Sequence, residues 1–162
     1  MLLGVAAAGV LAGCGSRRPQ ASADPAAPST NPGNFEVTHT DAEWHRLLSP
    51  KQYDVLRDAG TENPFSSPLD DEHRKGVFGC AGCGLDLFSS DAKFDSGTGW
   101  PSFWQPIANS VIERPDHSLG MERTEVLCRR CGGHLGHVFD DGPKPTGLRY
   151  CMNGVAMTFR AT

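Results

Sequence analysis

No run of lysine or arginine longer than two occurs in the 162 residues, and 15 basic side chains stand against 19 acidic ones for a net charge of −4. The electrostatic footprint of a nucleic-acid binder is therefore missing. Nothing approaches the roughly 20 consecutive apolar residues that a membrane-spanning helix needs. Long uninterrupted helical stretches are missing too, because 19 glycines and 12 prolines break the chain repeatedly. That excludes a coiled coil or a helical bundle. Six cysteines are too few for a disulfide-built mini-protein of this length,. What remains is enough for one folded domain, at about 100–200 residues per domain. With 38% hydrophobic and 21% charged residues, part of the chain can bury a core.

The chain sorts into three stretches. Residues 1–13 carry an apolar run of eleven, Leu2 to Ala12, too short to span a bilayer and suited to a secretion signal,. Leu11-Ala12-Gly13-Cys14 resembles a lipobox, where a bacterial signal peptide is cut and the new N-terminal Cys14 is acylated. No basic residue precedes the run, which places the expected basic region upstream of Met1. Residues 14–34 follow as the lipidated end and a tether. Eleven of the twenty residues from Gly15 to Asn34 are Pro, Ala or Ser, with no aromatic among them, so the segment has little apolar surface with which to offset its ordering entropy,. The expected location is an exported, membrane-anchored lipoprotein, held by lipid alone. Residues 35–162 form the domain.

Two short helices open it. Thr40 with Glu43, and Ser49 with Pro50 and Gln52, are capping boxes, and Gly60 is expected to end the second helix,. Beyond residue 75 short apolar runs between turn residues predict strands at 76–78, 85–88, 111–113, 123–127, 137–139, 148–152 and 155–160. The fold class is mainly β, antiparallel, with helices at its N-terminal end.

Cys80-Ala-Gly-Cys83-Gly84 and Cys128-Arg-Arg-Cys131-Gly132 are two CxxCG knuckles on separate hairpins. Four thiolates suit a closed tetrahedral zinc site with no open position for water. Two other chemistries use the same spacing, namely a short disulfide in each pair or a thioredoxin-like redox centre. A redox CxxC usually opens a helix, and neither knuckle is followed by helical periodicity. One structural zinc per chain is expected.

Cys151 stands apart in Leu-Arg-Tyr-Cys-Met-Asn. Alternation along a strand puts Arg149, Cys151 and Asn153 on one face. A neighbouring cation lowers a thiol's pKa, and Asn153 could orient a polar ligand; the competing reading is a buried, inert cysteine. His134 and His137 could be metal ligands, proton donors beside Cys151, or turn histidines. Asp140 and Asp141 fit turn chemistry. The segment 97–104, too glycine-rich for a strand interior, could carry Trp100 into a pocket as an apolar wall or simply be a loop pinned by aromatics.

Taken together, FDSGTG at 94–99, GWPSF at 99–103, the two knuckles, GGHLGHVFDDGP at 132–143 and PTGLRYCMN at 145–153 resemble the type-B methionine sulfoxide reductase family. The resemblance implies two antiparallel sheets with short N-terminal helices, and reduction of the R-epimer of methionine sulfoxide, free or in oxidised proteins. By position it makes Cys151 the nucleophile, with His134, His137, Arg149, Asn153 and Asp141 assisting. Trp100 then packs on the substrate methyl group, and Cys80, Cys83, Cys128 and Cys131 hold zinc.

In the implied chemistry a thiolate attacks the sulfoxide sulfur, a proton reaches the oxygen, and methionine leaves a sulfenic acid on Cys151. Many relatives carry a second, resolving cysteine where this chain has Thr98. A thioredoxin-like or small thiol is therefore the expected reductant, and a monomer the expected state. The segment 155–159, VAMTF, also departs from the family's usual wording. Two rival readings are a non-catalytic zinc-ribbon interaction module and a zinc enzyme with His134 and His137 as ligands.

Overall fold

The computed structural model describes Met1 and residues 35–162. The apolar run at 2–12, Cys14 with its lipobox, and the 15–34 tether lie outside the described residues. No helix among the described residues is long and apolar enough to cross a membrane.

Both capping boxes form. Thr40 and Ser49 accept from the backbone N–H groups of Glu43 and Gln52, whose side chains reach back to the cap N–H groups. They start α1 (Asp41–Leu47) and α2 (Pro50–Asp58). The second helix ends one residue earlier than expected: Ala59, not Gly60, takes the left-handed conformation, with φ of 55°. Trp44 of α1 and Val55 and Leu56 of α2 turn inward.

Nine strands follow in two antiparallel sheets. They are β1 (Gly76–Cys80), β2 (Asp86–Ser89), β3 (Lys93–Phe94), β4 (Ser102–Phe103), β5 (Val111–Asp116), β6 (Arg123–Cys128), β7 (His134–Phe139), β8 (Arg149–Met152) and β9 (Met157–Ala161). The smaller sheet has the order β2-β1-β9 and the larger β3-β4-β8-β7-β6-β5. Two strands had no counterpart in the sequence reading. One of them, β4, comes from the segment expected to be too glycine-rich for a strand. It is only two residues long, which gives a period-two pattern nothing to act on, yet it pairs directly with β8. Two starts shift by more than one residue: β7 begins at His134 rather than 137, and β9 at Met157, after a 3-10 turn over Gly154–Ala156.

The sheets meet through aromatic rings. Phe88 of the small sheet stacks on Phe103 of the large one with centroids 4.4 Å apart, and Phe78 meets Phe103 edge-on at 5.0 Å. Phe78, Phe88, Phe103 and Met152 are fully buried. At about 1.5–3 kcal/mol per buried large side chain, this cluster is the chief apolar seam between the sheets. Tyr150 joins it and directs its hydroxyl to Glu113 at 2.7 Å. Tyr150 and Met152 thus turn β8's inward face to the core, leaving Arg149 and Cys151 on the other.

Candidate functional site

β8 lies between β4 and β7, and their registers align Ser102, Cys151 and His137 in one row across the sheet. Directly opposed residues of antiparallel strands share a face. The sheet's outward face therefore carries the Cys151 thiol beside an imidazole on one flank and a segment of hydroxyls on the other. Gly136 permits this closeness, since a Cβ there would sit 2.1 Å from the carbonyl oxygen of Cys151.

Simple alternation would put His134 and His137 on opposite faces. An irregularity in the β6–β7 ladder prevents it: Val126 faces Gly136, but Leu127 faces His134, so Leu135 is an extra residue in β7,. The two imidazole centroids lie only 5.4 Å apart.

Each imidazole is held by a carboxylate that is itself held by an arginine. His137 Nε2 lies 2.8 Å from Asp116 Oδ2, which also accepts from Arg123 at 2.7 Å. Hydrogen bonds from Ser118, then that from His137, hold the Asp116 carboxyl well below the usual range. An ionised carboxylate only accepts, so Nε2 carries the proton and Nδ1 is the remaining nitrogen of His137. His134 Nδ1 lies 2.6 Å from Glu125 Oε1, and Glu125 Oε2 accepts from Arg114. His134 and Glu125 are only 4% and 6% exposed. Burial pulls the His134 pKa down despite the Glu125 partner. Its Nε2 is buried with no hydrogen-bond partner. Both rings are tied to carboxylates, and the histidine-metal reading gains no support from the structure. Among the described residues, the group able to hold a metal is the four-cysteine cluster.

Arg149 is gripped by Asp141 through two bonds of 2.8 Å, and its guanidinium lies 4.5 Å over the Phe139 ring. Asp141 thus does more than shape a turn. Arg149 pulls the Cys151 pKa down, as expected of a neighbouring cation, without setting the net direction. Burial pushes the thiol up, outweighing both the Thr98 hydroxyl and Arg149, which pull it down. Burial therefore favours the thiol over the thiolate at rest.

Asn153 is buried. Its Nδ2 donates to the Leu135 carbonyl at 3.1 Å, and its Oδ1 accepts from the Glu62 N–H at 3.0 Å. These bonds make Asn153 a backbone tie across three segments. Glu62 is the other half of that tie. Its carbonyl accepts from Trp100 Nε1 at 3.1 Å, and its carboxylate accepts from the N–H groups of Gly154 and Val155. Burial raises the Glu62 pKa against those two donors. Trp100 is therefore anchored through Glu62, with its ring partly exposed.

Glu62, Asp116 and Glu125 escaped the sequence reading. For Glu125 a signal existed, since it lies within the expected strand 123–127, whereas Asp116 lies past the expected 111–113 in a strand that runs on to it. For Glu62, in a loop 91 residues from Asn153, there was none.

The knuckles sit at the β1–β2 and β6–β7 turns, and the fold brings them together. The four sulfurs lie within 4.8 Å of one another, with Cys80–Cys131 at 3.7 Å and Cys83–Cys128 at 3.5 Å. A zinc–sulfur distance of about 2.3 Å gives tetrahedral edges of about 3.8 Å. The cluster fits zinc, and its 3.5 and 3.7 Å contacts run across the two knuckles. None of the four is in a disulfide. Gly84 and Gly132 adopt φ of 72° and 69° just after each knuckle, the left-handed turn that glycine makes at least cost,.

The SelR domain model matches residues 48–161. The chain is 60% identical over 123 residues to the peptide methionine sulfoxide reductase MsrB of Bradyrhizobium diazoefficiens, covering 75% of this chain and 88% of that protein. It is 54% identical over 128 residues to the protein of the same name in Leptospira interrogans, covering 78% and 98%. A third so named, from Methanosarcina barkeri, is 54% identical over 125 residues, covering 76% and 88%.

Proposed function

The chain belongs to the SelR domain family, and from its geometry we propose how it carries out that family's reduction of methionine sulfoxide to methionine. We assign Cys151 as the nucleophile and the R-epimer as the substrate. The observation that carries the assignment is the row Ser102–Cys151–His137. It places the one described cysteine outside the metal cluster beside a carboxylate-held imidazole.

His137 is the proton donor in this reading, and His134 is not. The His134 Nε2 is sealed and unpartnered, and its ring is kept neutral by burial. His137 keeps Nε2 on Asp116, so its Nδ1 takes the Cys151 thiol proton and passes it to the sulfoxide oxygen as the sulfur is attacked,. Oxygen transfers to Cys151, methionine leaves, and a sulfenic acid remains, so thiol plus sulfoxide becomes sulfenic acid plus thioether. Two external thiols then return Cys151 to thiol, giving one disulfide and one water. Thr98 at the position of the resolving cysteine supports this external route. Arg149, fixed by Asp141, offsets the negative charge that builds on sulfur and oxygen,. Trp100 offers its partly exposed ring to the substrate methyl group.

Cys80, Cys83, Cys128 and Cys131 would hold zinc, which would offset half of the thiolates' charge and cross-link the two hairpins,. These residues join the β1–β2 turn to the start of β7, and so fix where His134 and His137 stand.

Replacing Cys151 with Ser tests the assignment on separated R and S sulfoxides. Loss of R-sulfoxide turnover with retained zinc is the expected result, and undiminished turnover would overturn it. We propose further that Cys14 is acylated and the domain is exported on its tether, a reading supported by Leu11-Ala12-Gly13-Cys14 after an apolar run. Fatty-acid labelling of the wild type, lost in Cys14→Ser, is the expected outcome; equal labelling of both would contradict it.

A further inference from the structure

A file of hydroxyls ends at the Cys151 sulfur, and the reaction steps above give it no task. Ser102, only 1% exposed, donates to the Trp100 carbonyl at 3.0 Å. Ser102 Oγ lies 2.8 Å from Ser96 Oγ, which lies 2.8 Å from Thr98 Oγ1, which lies 3.9 Å from Cys151 Sγ. Each hydroxyl has one hydrogen to give and can accept from others.

The donor count fixes the direction of the whole file. Ser102 spends its hydrogen on the Trp100 carbonyl, so it accepts from Ser96. Ser96, having given its hydrogen, accepts from Thr98. Thr98 then has none left for sulfur, and the Cys151 S–H donates to Thr98. Every hydrogen is used and every contact is complementary, provided Cys151 is a thiol.

A thiolate cannot donate. Once the proton leaves, the Cys151–Thr98 contact would set a lone pair against an anion unless the file turns round. Reversal satisfies it: Ser102 gives to Ser96, Ser96 to Thr98, and Thr98 to the sulfur. The only group released is the Trp100 carbonyl. We propose that Ser96, Thr98 and Ser102 form a hydroxyl chain that reverses polarity when Cys151 ionises, with Thr98 the positioning residue that donates to the thiolate. The proposal rests on Cys151 being the reactive sulfur.

A chain of hydrogen bonds ending on an anion is polarised along its length, so the distant serines strengthen the last bond. The other groups around the sulfur serve different ends. From β8, Arg149 offers charge but is tied to Asp141, and from β7, His137 supplies a ring bound to Asp116. Thr98 alone approaches Sγ from the 96–102 segment. In this chain the position that relatives give to a resolving cysteine thus holds a hydroxyl that eases formation of the attacking thiolate.

The test is the pH dependence of Cys151 alkylation by iodoacetamide, read by peptide mass spectrometry on full-length, zinc-loaded protein carrying Cys14→Ser. Thr98→Val is expected to raise the alkylation midpoint by about one unit, the loss of one hydrogen bond to an anion. Thr98→Ser keeps the wild-type midpoint, and Ser96→Ala raises it by a smaller amount. Zinc content of one per chain checks the fold of each variant. Should Thr98→Val fail that check, Ser96→Ala still decides. An unchanged midpoint in Thr98→Val overturns the role of Thr98, and an unchanged midpoint in Ser96→Ala overturns the chain. Neither result depends on turnover, so failure here is distinct from failure of the Cys151 assignment, which the Cys151→Ser assay reads.

Discussion

Two histidines three positions apart, each on a carboxylate and each carboxylate on an arginine, invite the view that they are equivalent. The surroundings of the free nitrogens separate them: His134 Nε2 is buried without a partner, whereas His137 is the register partner of Cys151. His137→Asn should therefore lower kcat by about 10²-fold or more, the usual worth of a positioned proton donor. His134→Gln should cost less in kcat and show itself in stability. Asp116→Asn leaves Nε2 free to lose its proton, and should lower kcat several-fold while KM holds. Steady-state kinetics on one sulfoxide checks all three. The sign of the pH effect on stability follows from burial of His134, which lowers its pKa. Above about pH 6.5 the ring is neutral in both folded and unfolded chains. Below that the unfolded chain takes up a proton that the folded one resists, so stability falls. Urea midpoints at about pH 7.5 and pH 5.5 should therefore drop more for the wild type than for His134→Gln.

At the scale of elements, β4 matters more than its two residues suggest. It brings Phe103 into the seam between the sheets and Ser102 into the row with Cys151. Phe103→Ala should destabilise the domain by about 3–5 kcal/mol, measured by denaturant unfolding. Gly136→Ala should be as disruptive, because its Cβ has no room beside the Cys151 carbonyl. The same elements mark what the sequence could reveal. Both helix starts were legible because a capping box is a local, four-residue chemistry. The metal ligands were legible because two knuckles carry their own spacing. β4 was not, since a two-residue strand has no period. The shared face of His134 and His137 was not, since the extra residue at Leu135 exists only in the pairing with β6. Asn153, read as sharing the face of Cys151, lies just past β8 at the cap of the 3-10 turn that follows. Its amide is spent on Leu135 and Glu62, contacts made across 18 and 91 residues of chain.

Across the whole domain, the four-cysteine cluster and the reactive thiol divide the labour. The cluster ties the β1–β2 turn of the small sheet to the β6–β7 turn of the large one, while Cys151 lies on the large sheet's outer face. Metal binding to such a site is part of the folding free energy. Chelation, or Cys128→Ser, should therefore lower the melting temperature and abolish activity together, and added zinc should restore both only in the chelated wild type. The most direct test of the central claim is a single turnover without reductant, using zinc-loaded protein and excess R-sulfoxide, with methionine counted and dimedone adducts located by mass spectrometry. One methionine per chain, with the adduct on Cys151, is the predicted result. Methionine well beyond one per chain, or most of the Cys151 locked in an intramolecular disulfide, would contradict it.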